Sequence, residues 1–552
     1  MKRIRRLCVA LVLGGLLAAC GSTGSGSGGG TSANTSSLTI SNESGTTWTC
    51  GFNPFNPSVN GLSFGTVYEE LTFVDVLKSG ATAPWLASSY AWSNGNKTLT
   101  FTIRSGVKWS DGQPFTAKDV LFTFDMLKKF PALDLNAVWS VLSGVSQVGS
   151  GQVVFSFKTS AVPYFYYIAD QTPIVPEHLW ASIKNPITYN DSSPVGTGPY
   201  TMAKCTPEDV KYSKNPSYWQ PGLPKIETVY YPSFTSNDPA NELLATGGAQ
   251  WGSQFIPSIQ SYYLSKSPDY HIWFPPVANV SIFINLDNKV LAQLPVREAM
   301  AYAIDRQKVS ELGEYGYEPA SNQTDIVKPT FSGWYDSSAA SQYDYTYDPT
   351  RALAILRAAG YTESNGIFQT PAGPLSFTID NIGGYSDWVA SVSVIETELK
   401  AVGIQIAPDN LASNTYDTDV FDGKYQLAYN SETGGPSPYY ELRQLLYSPN
   451  SAPIGQPAAT DWERYSNPQT DTLIEQYGAT TSSAVQHQIV DELEQVMLKD
   501  VPVIPMTEEV DWYQYDTAKI GGWVTQSNPF AQPAAYNIPD IGVVLLHLQP
   551  TK

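Results

Sequence analysis

The chain has 552 residues, of which 42% are hydrophobic and only 15% charged, and its formal net charge is −19. Such a length exceeds what one hydrophobic core serves, so more than one domain is expected. Beyond the N-terminal segment no apolar run is long enough to cross a bilayer, and the excess of acid excludes phosphate backbones as partners.

The first element is a secretory signal over residues 1–19: a basic Met1–Arg6 followed by an apolar Leu7–Ala19. Its end, Leu17-Ala18-Ala19-Cys20, resembles a bacterial lipobox, which implies a lipid on Cys20; an ordinary signal peptide cut nearby is the alternative. A lipid there tethers the body to the outer face of the cytoplasmic membrane without spanning it. Loss of Lys2, Arg3, Arg5 and Arg6 takes the mature body from −19 to −23. Residues 20–37 form a linker of Gly, Ser and Thr that cannot build a core. Cys8 leaves with the signal, so Cys50 and Cys205 remain in an oxidising compartment, either as a disulfide or as two buried thiols.

Strand and helix patterns then alternate. Leu38–Ser41 reads as a strand, and Trp48, Phe52 and Asn53 follow it, where α/β lobes usually present ligand-contacting loops. Leu99–Arg104 alternates with period two, and Val153–Phe157 is β-rich. Between them Thr116 and Asp119 form a capping box for a helix that buries Val120, Phe124 and Leu127. Val296, Ala299, Met300 and Ala303 share one helical face, predicting a helix from Pro295 to about Lys308. Asp348-Pro349 and Gly360 bracket a helix with Leu353, Leu356 and Ala359 inward. Val392, Ile395, Leu399 and Val402 mark another, ended by Gly403, and Ile489, Leu493 and Val496 a late one. Mixed segments of this kind predict α/β lobes.

Six stretches now stand in order: Pro84-Trp-Leu-Ala87 with Leu99–Phe124, Pro194-Val-Gly-Thr-Gly-Pro-Tyr200, Asn215-Pro-Ser-Tyr-Trp219, Val296–Arg306, Tyr347-Asp-Pro349 with Ala359-Gly-Tyr361, and Asp500–Pro505. Together they resemble the family 5 (cluster C) extracellular solute-binding proteins, which bind oligopeptides, dipeptides, nickel or cello-oligosaccharides for ABC importers. The resemblance implies an α/β, two-lobed, type II periplasmic-binding-protein clamp with an extra subdomain. Lobe I would take 38–59, 187–276 and 506–552, the extra subdomain 60–186, and lobe II 277–505. Hinges would cross near Pro275-Pro276 and Pro505, and ligand would drive closure. It further implies a monomer without cofactor, handing its ligand to a partner permease and ATPase. Most of the matching stretches are turn and packing chemistry, so their expected role is scaffold.

For the ligand, the informative stretch is Tyr425–Tyr439. Peptide-type members carry there a Trp-x-x-Asp-like segment whose Asp neutralises the ligand ammonium; here there is neither Asp nor Trp, and Gly434-Gly-Pro-Ser-Pro438 is similar to some oligosaccharide-type members. Gln250-Trp251 with Phe255-Ile-Pro257 resembles that subset too. Asn430, Glu432, Tyr439, Trp251 and Trp388 therefore join Trp48, Phe52 and Asn53 as cleft candidates, because sugars are held by ring faces, amides and hydroxyls. Oligopeptide is the family-level expectation and oligosaccharide the alternative.

Other classes leave weaker traces. Gly61-Leu-Ser-Phe-Gly65 fits the nucleophile-elbow string, but a loop precedes it where a buried strand is required, so a serine hydrolase acting through Ser63 is a remote alternative. His178, His271, His487 and His547 show no metal-ligand spacing, and no Walker string is present, so no metal and no ATP hydrolysis by this chain are expected. A purely structural surface protein would show no ligand-induced closure.

Overall fold

The computed structural model describes residues 36–42, 45–56, 63–343 and 345–551. The secretory segment, Cys20, most of the Gly/Ser linker and Gly61 lie outside them.

Three sheets carry the architecture. The first has seven strands in the order 270–272, 514–516, 251–252, 37–41, 228–232, 209–214 and 200–205. At its centre, Ser37–Ser41 runs parallel to Thr228–Pro232 and to Trp251–Gly252. Its alternation works as expected: Leu38 and Ile40 are fully buried. The second sheet has five strands in the order 405–411, 376–382, 427–431, 276–284 and 503–510. The third has four strands, all between Ala87 and Phe157. Its strands Thr98–Ile103 and Gln152–Phe157 bury alternate residues beneath the helix Ala117–Lys129, where Phe124 meets Phe155 at 4.7 Å. Thr116 and Asp119 close the capping box that starts this helix, with the Thr116 N–H donating to Asp119 Oδ2 at 2.8 Å. The fold is thus the α/β, two-lobed clamp expected, with an additional β-rich piece.

Two strands pass side by side from the first sheet to the second. Tyr270–Ile272 pairs with Gln514–Asp516 in the seven-stranded sheet, and Pro276–Ile284 pairs with Val503–Val510 in the five-stranded one. Between them Trp273 N donates to Tyr513 O (3.1 Å) and Asp511 N to Pro275 O (2.9 Å), so the ladder continues through the crossing. The outbound crossing lies where expected. The return one does not: Pro505 is inside the five-stranded sheet, opposite Ser281, and the chain leaves only at Asp511–Tyr513. A register shift beside Ser281 explains how a residue without an N–H is tolerated there.

Helix boundaries also needed correction. The helix expected over Pro295–Lys308 is two, Leu294–Ala303 and Arg306–Leu312. Asp305 breaks it by capping the second, accepting from Lys308 N at 3.3 Å, while its own N–H donates to Glu398 at 2.8 Å. In Pro349–Ala358 the buried residues are Ala352 and Leu356; Leu353 is half-buried and Ala359 exposed, because the helix ends before it. In Ser483–Asp500, Met497 takes the deep position and Val496 stays half-buried.

The shared sequence stretches hold one another. Arg297 donates to the carbonyls of Leu291, Asp500 and Val501, and Arg306 to those of Ala301, Tyr345 and Pro505, so the 296–306 stretch fastens the 500–505 stretch. Glu69 accepts from Trp85 Nε1 and Tyr218 OH, both at 2.8 Å, and from Trp219 Nε1 at 3.1 Å. A Cβ on Gly196 would stand 1.8 Å from Val67 O, and one on Gly198 2.5 Å from Thr66 O; only glycine lets these backbones meet.

Candidate ligand-binding cleft

Beside the crossing strands lie two cavities of about 340 and 260 Å³ that share Ser431, Glu509 and Tyr536 as walls. They form one cleft. At one end, Asn237, Phe255 and Trp512 come from the seven-stranded side and Tyr385, Asp387 and Trp388 from the five-stranded side. At the other end, Tyr166 and Gln171 of the β-rich piece face Glu432, Thr433, Asp511 and Asn537.

Aromatic rings frame the first end. Trp388 sits in the first turn of the helix Ser386–Ala401 and is 8% exposed. It is held edge-on by Tyr385 at 5.3 Å and Tyr429 at 5.5 Å. Opposite, Trp512 is 9% exposed and packs on Phe255 at 5.5 Å and Phe274 at 5.1 Å. Rings fixed in this way offer flat apolar faces at little entropic cost.

Charge in the cleft has one sign. The walls carry Glu318, Asp387, Asp417, Glu432, Glu509 and Asp511, and among the described lining residues there is no Lys, Arg or His. Burial, with Asp511 and Glu432 nearby, pushes the Glu509 carboxyl up to about 8 even though Ser431 Oγ donates to it at 2.8 Å. Burial and Asp540 push Asp511 up to about 8 against a 2.7 Å bond from Asn537 Nδ2. Burial raises Asp387 to about 7 and Asp417 to about 6. It holds Glu318 and Glu432 well above the usual carboxylate range, with Asp325 and its charge adding to the shift at Glu432. Thr507 Oγ1 donates to Glu318 at 2.6 Å and Ser281 Oγ to Glu432. Asp511 Oδ2 is buried with no donor.

Of the residues singled out from sequence, Trp388 and Glu432 line this cleft. Asn430 is half-buried on the strand Leu427–Ser431, opposite Ser281, next to the lining residues Ser431 and Glu432. Tyr439 lies elsewhere, stacked on Tyr477 at 4.2 Å in a separate cavity of about 380 Å³ between the 140–164 and 439–479 stretches. Four candidates prove to be packing. Trp48 Nε1 donates to Tyr231 O at 2.8 Å, and Phe52 meets Tyr212 edge-on at 6.4 Å. Asn53 Nδ2 donates to the carbonyls of Pro186 and Tyr189, both at 2.9 Å. Trp251 is 0% exposed and donates to Pro533 O at 3.1 Å. The reason for the first three is a Cys50–Cys205 disulfide, with Cα atoms 5.7 Å apart, which draws the loop after the first strand onto the 186–212 region. Ser63 is 1% exposed, and its carbonyl accepts from Val67 and Tyr68 N–H in a tight turn, a poor place for an attacking hydroxyl.

Sequence reasoning missed Asn237, Tyr385, Asp387, Glu509, Asp511, Trp512 and Tyr536. Glu508-Glu509 and Asp511-Trp512, acids at the end of an apolar β run, were the visible signal. Among the described residues no group of His, Cys, Asp and Glu has metal-holding geometry, and no helix is long and apolar enough to cross a membrane.

The sequence model of the bacterial extracellular solute-binding proteins, family 5 Middle, matches residues 81–453. Among curated relatives, the glutathione-binding protein GsiB of Salmonella typhi is 25% identical over 460 residues, covering 81% of this chain and 84% of its own. The nickel-binding periplasmic protein of Escherichia coli K12 is 26% identical over 429 residues, covering 74% and 78%. Among solved structures, a mannohexaose-bound periplasmic oligopeptide-binding protein of an oligopeptide ABC transporter from Thermotoga maritima is 27% identical, with a TM-score of 0.86 over 94% of this chain and 99% of that one. The oligopeptide-binding protein AppA from Bacillus subtilis, in complex with a nonapeptide, shares the fold at 18% identity and a TM-score of 0.79 over 94% and 99%. With that match over most of its length, the chain belongs to the bacterial extracellular solute-binding proteins, family 5, a family of ABC-importer binding proteins and not of enzymes.

Proposed function

We propose that the chain is a lipoprotein, anchored through Cys20 at the outer face of the cytoplasmic membrane, that captures an oligosaccharide and delivers it to a partner permease and ATPase. One observation carries the choice of ligand: the cleft offers Trp388, Trp512, amides and carboxylates but no cation among its described walls. An oligosaccharide needs ring faces and acceptors for its hydroxyls, which these groups supply. A peptide brings a terminal carboxylate, which would find no cation among these walls. The glycines of the 434–438 stretch agree with this. A Cβ on Gly434 would lie 2.4 Å from Val277 O, so this wall of the cleft admits only glycine there. The mannohexaose held by the Thermotoga maritima relative is consistent with the same reading.

The second reading is an oligopeptide, the commoner ligand expected from the family resemblance. It is favoured by the acids themselves, since Glu509 stands where both cavities meet and an N-terminal ammonium would neutralise it. In either reading, 38–59, 187–276 and the C-terminal stretch form one lobe and 277 onward the other, with 60–186 as the extra subdomain. The sheet memberships support this division if the return boundary is moved from 505 to about 511. Calorimetry on the linker-trimmed body with mannohexaose, cellohexaose and a nonapeptide decides between ligands. Micromolar binding of a hexaose with none of the nonapeptide is expected; the reverse overturns the oligosaccharide reading.

A further inference from the structure

The second end of the cleft differs from the first. It lacks the paired indoles, and its walls bring Glu432, Glu509 and Asp511 to a cavity of about 260 Å³. Asp511 is fully buried, and while its Oδ1 accepts from Asn537 at 2.7 Å, its Oδ2 has no donor at all. Behind this wall stand more acids: Asp540, which faces Asp511 and accepts from Gln532 N at 2.7 Å, and Asp170, which accepts from Gln171 Nε2 at 2.7 Å. Glu432 is in turn backed by Asp325. A neutral sugar satisfies acceptors one hydroxyl at a time but leaves these buried acids held in their protonated form near neutrality, whereas a cation beside them lets them ionise. A buried acid group of one sign, without a counter-charge of its own, is matched by a ligand that carries the opposite one.

Resting on the oligosaccharide reading, we infer that the ligand is an amino sugar oligomer, whose ring faces lie on Trp388 and Trp512 and whose ammonium groups are taken by Glu509 and Asp511. The shared edge of the two cavities at Ser431, Glu509 and Tyr536 makes one continuous track, so a single oligomer reaches both ends. Charge-assisted bonds from an ammonium to a carboxylate are about twice as strong as neutral ones, and they supply the donor that Asp511 Oδ2 lacks. An N-acetylated sugar replaces that cation by an amide and adds bulk.

The test compares three hexamers of the same linkage by calorimetry on the linker-trimmed body at neutral pH: the β-1,4 glucosamine hexamer, its fully N-acetylated form, and cellohexaose, which carries a hydroxyl in place of each amine. The glucosamine hexamer is expected to bind about ten-fold more tightly than cellohexaose at low salt, and the gap to narrow as salt is raised. D511N is expected to remove most of that gap, and most of its salt dependence with it. Should D511N fail to fold, the salt series on the unaltered protein decides alone. Cellohexaose or the acetylated hexamer binding as tightly as the amine overturns the inference and leaves the oligosaccharide reading standing. No hexamer binding, with a nonapeptide bound instead, overturns both.

Discussion

Asn237 and Ser386 are bonded across the mouth of the cleft. The Ser386 N–H donates to Asn237 Oδ1 at 2.9 Å, and Asn237 Nδ2 reaches Phe255 O at 3.3 Å. Asn237 begins the helix Asn237–Ala245 that packs on the seven-stranded sheet, and Ser386 begins the helix Ser386–Ala401 that packs on the five-stranded one. This amide therefore adds a link between two bodies that also meet through the two adjacent strands and through Tyr317, whose hydroxyl accepts from Ile259 N at 2.9 Å.

N237A removes this link. The ligand-free protein is expected to shift toward a more open form, seen as a larger radius of gyration by small-angle scattering, and ligand affinity to fall by about three- to ten-fold, because closure loses a hydrogen bond of about 1 kcal/mol. An unchanged radius and affinity would refute a latch.

Trp388 and Trp48 separate site from scaffold. W388A is expected to lower ligand affinity at least ten-fold and to abolish the ligand-dependent rise in Tm, since the ring face is lost from the cleft wall. W48A is expected to cost about 3–5 kcal/mol of stability, because that indole is buried and bonded to Tyr231 O, with the affinity of the folded fraction unchanged. Denaturant titration and calorimetry on both variants distinguish the two roles.

Stability is expected to rise toward acid pH. Burial lifts Glu509, Asp511 and Glu494 to about 8 and Asp540 to about 7, above their values in an unfolded chain. Each raised group favours the protonated folded state, so its stabilisation is complete below about pH 4 and is lost as pH climbs through 7 to 8. Tm measured by scanning calorimetry should therefore be higher at pH 5 than at pH 8. D511N, which cannot ionise, should gain stability at pH 8 relative to the parent and little at pH 5.

Cys50 and Cys205 close a loop of sequence separation 155. By the chain-entropy estimate a loop of that length is worth about 5 kcal/mol, so reduction should lower Tm by several degrees. It should also free the Trp48–Asn53 loop, which hydrogen exchange under reductant would report first.

How far the sequence reached can be read from particular residues. The capping box at Thr116 and Asp119, the caps at Asp348 and Gly360, and the apolar faces at 120–127 and 392–399 were all legible, because each is decided by neighbours three or four residues away. Asp305 was misread within a continuous helical pattern: its cap on Lys308 N is as local as the others, but the apolar periodicity on either side hid it, and its N–H finds Glu398 of a distant helix in place of a helical carbonyl. Trp48, Phe52 and Asn53 looked like cleft residues because they follow the first strand. A bond to Cys205 turns them into packing.

The sequence by itself determined the secretory and lipobox pattern, the α/β character and the family, because these live in local composition and in ordered short motifs. Only the tertiary structure decided which acids and rings share a cavity. Phe255, Trp388, Glu432 and the Glu509–Trp512 stretch come from separate segments, and it is the two antiparallel crossings between the sheets that bring them to one cleft. Burial in that cleft, which no local pattern encodes, is what leaves its carboxylates without counter-charge and sets the chemistry of the ligand it can hold.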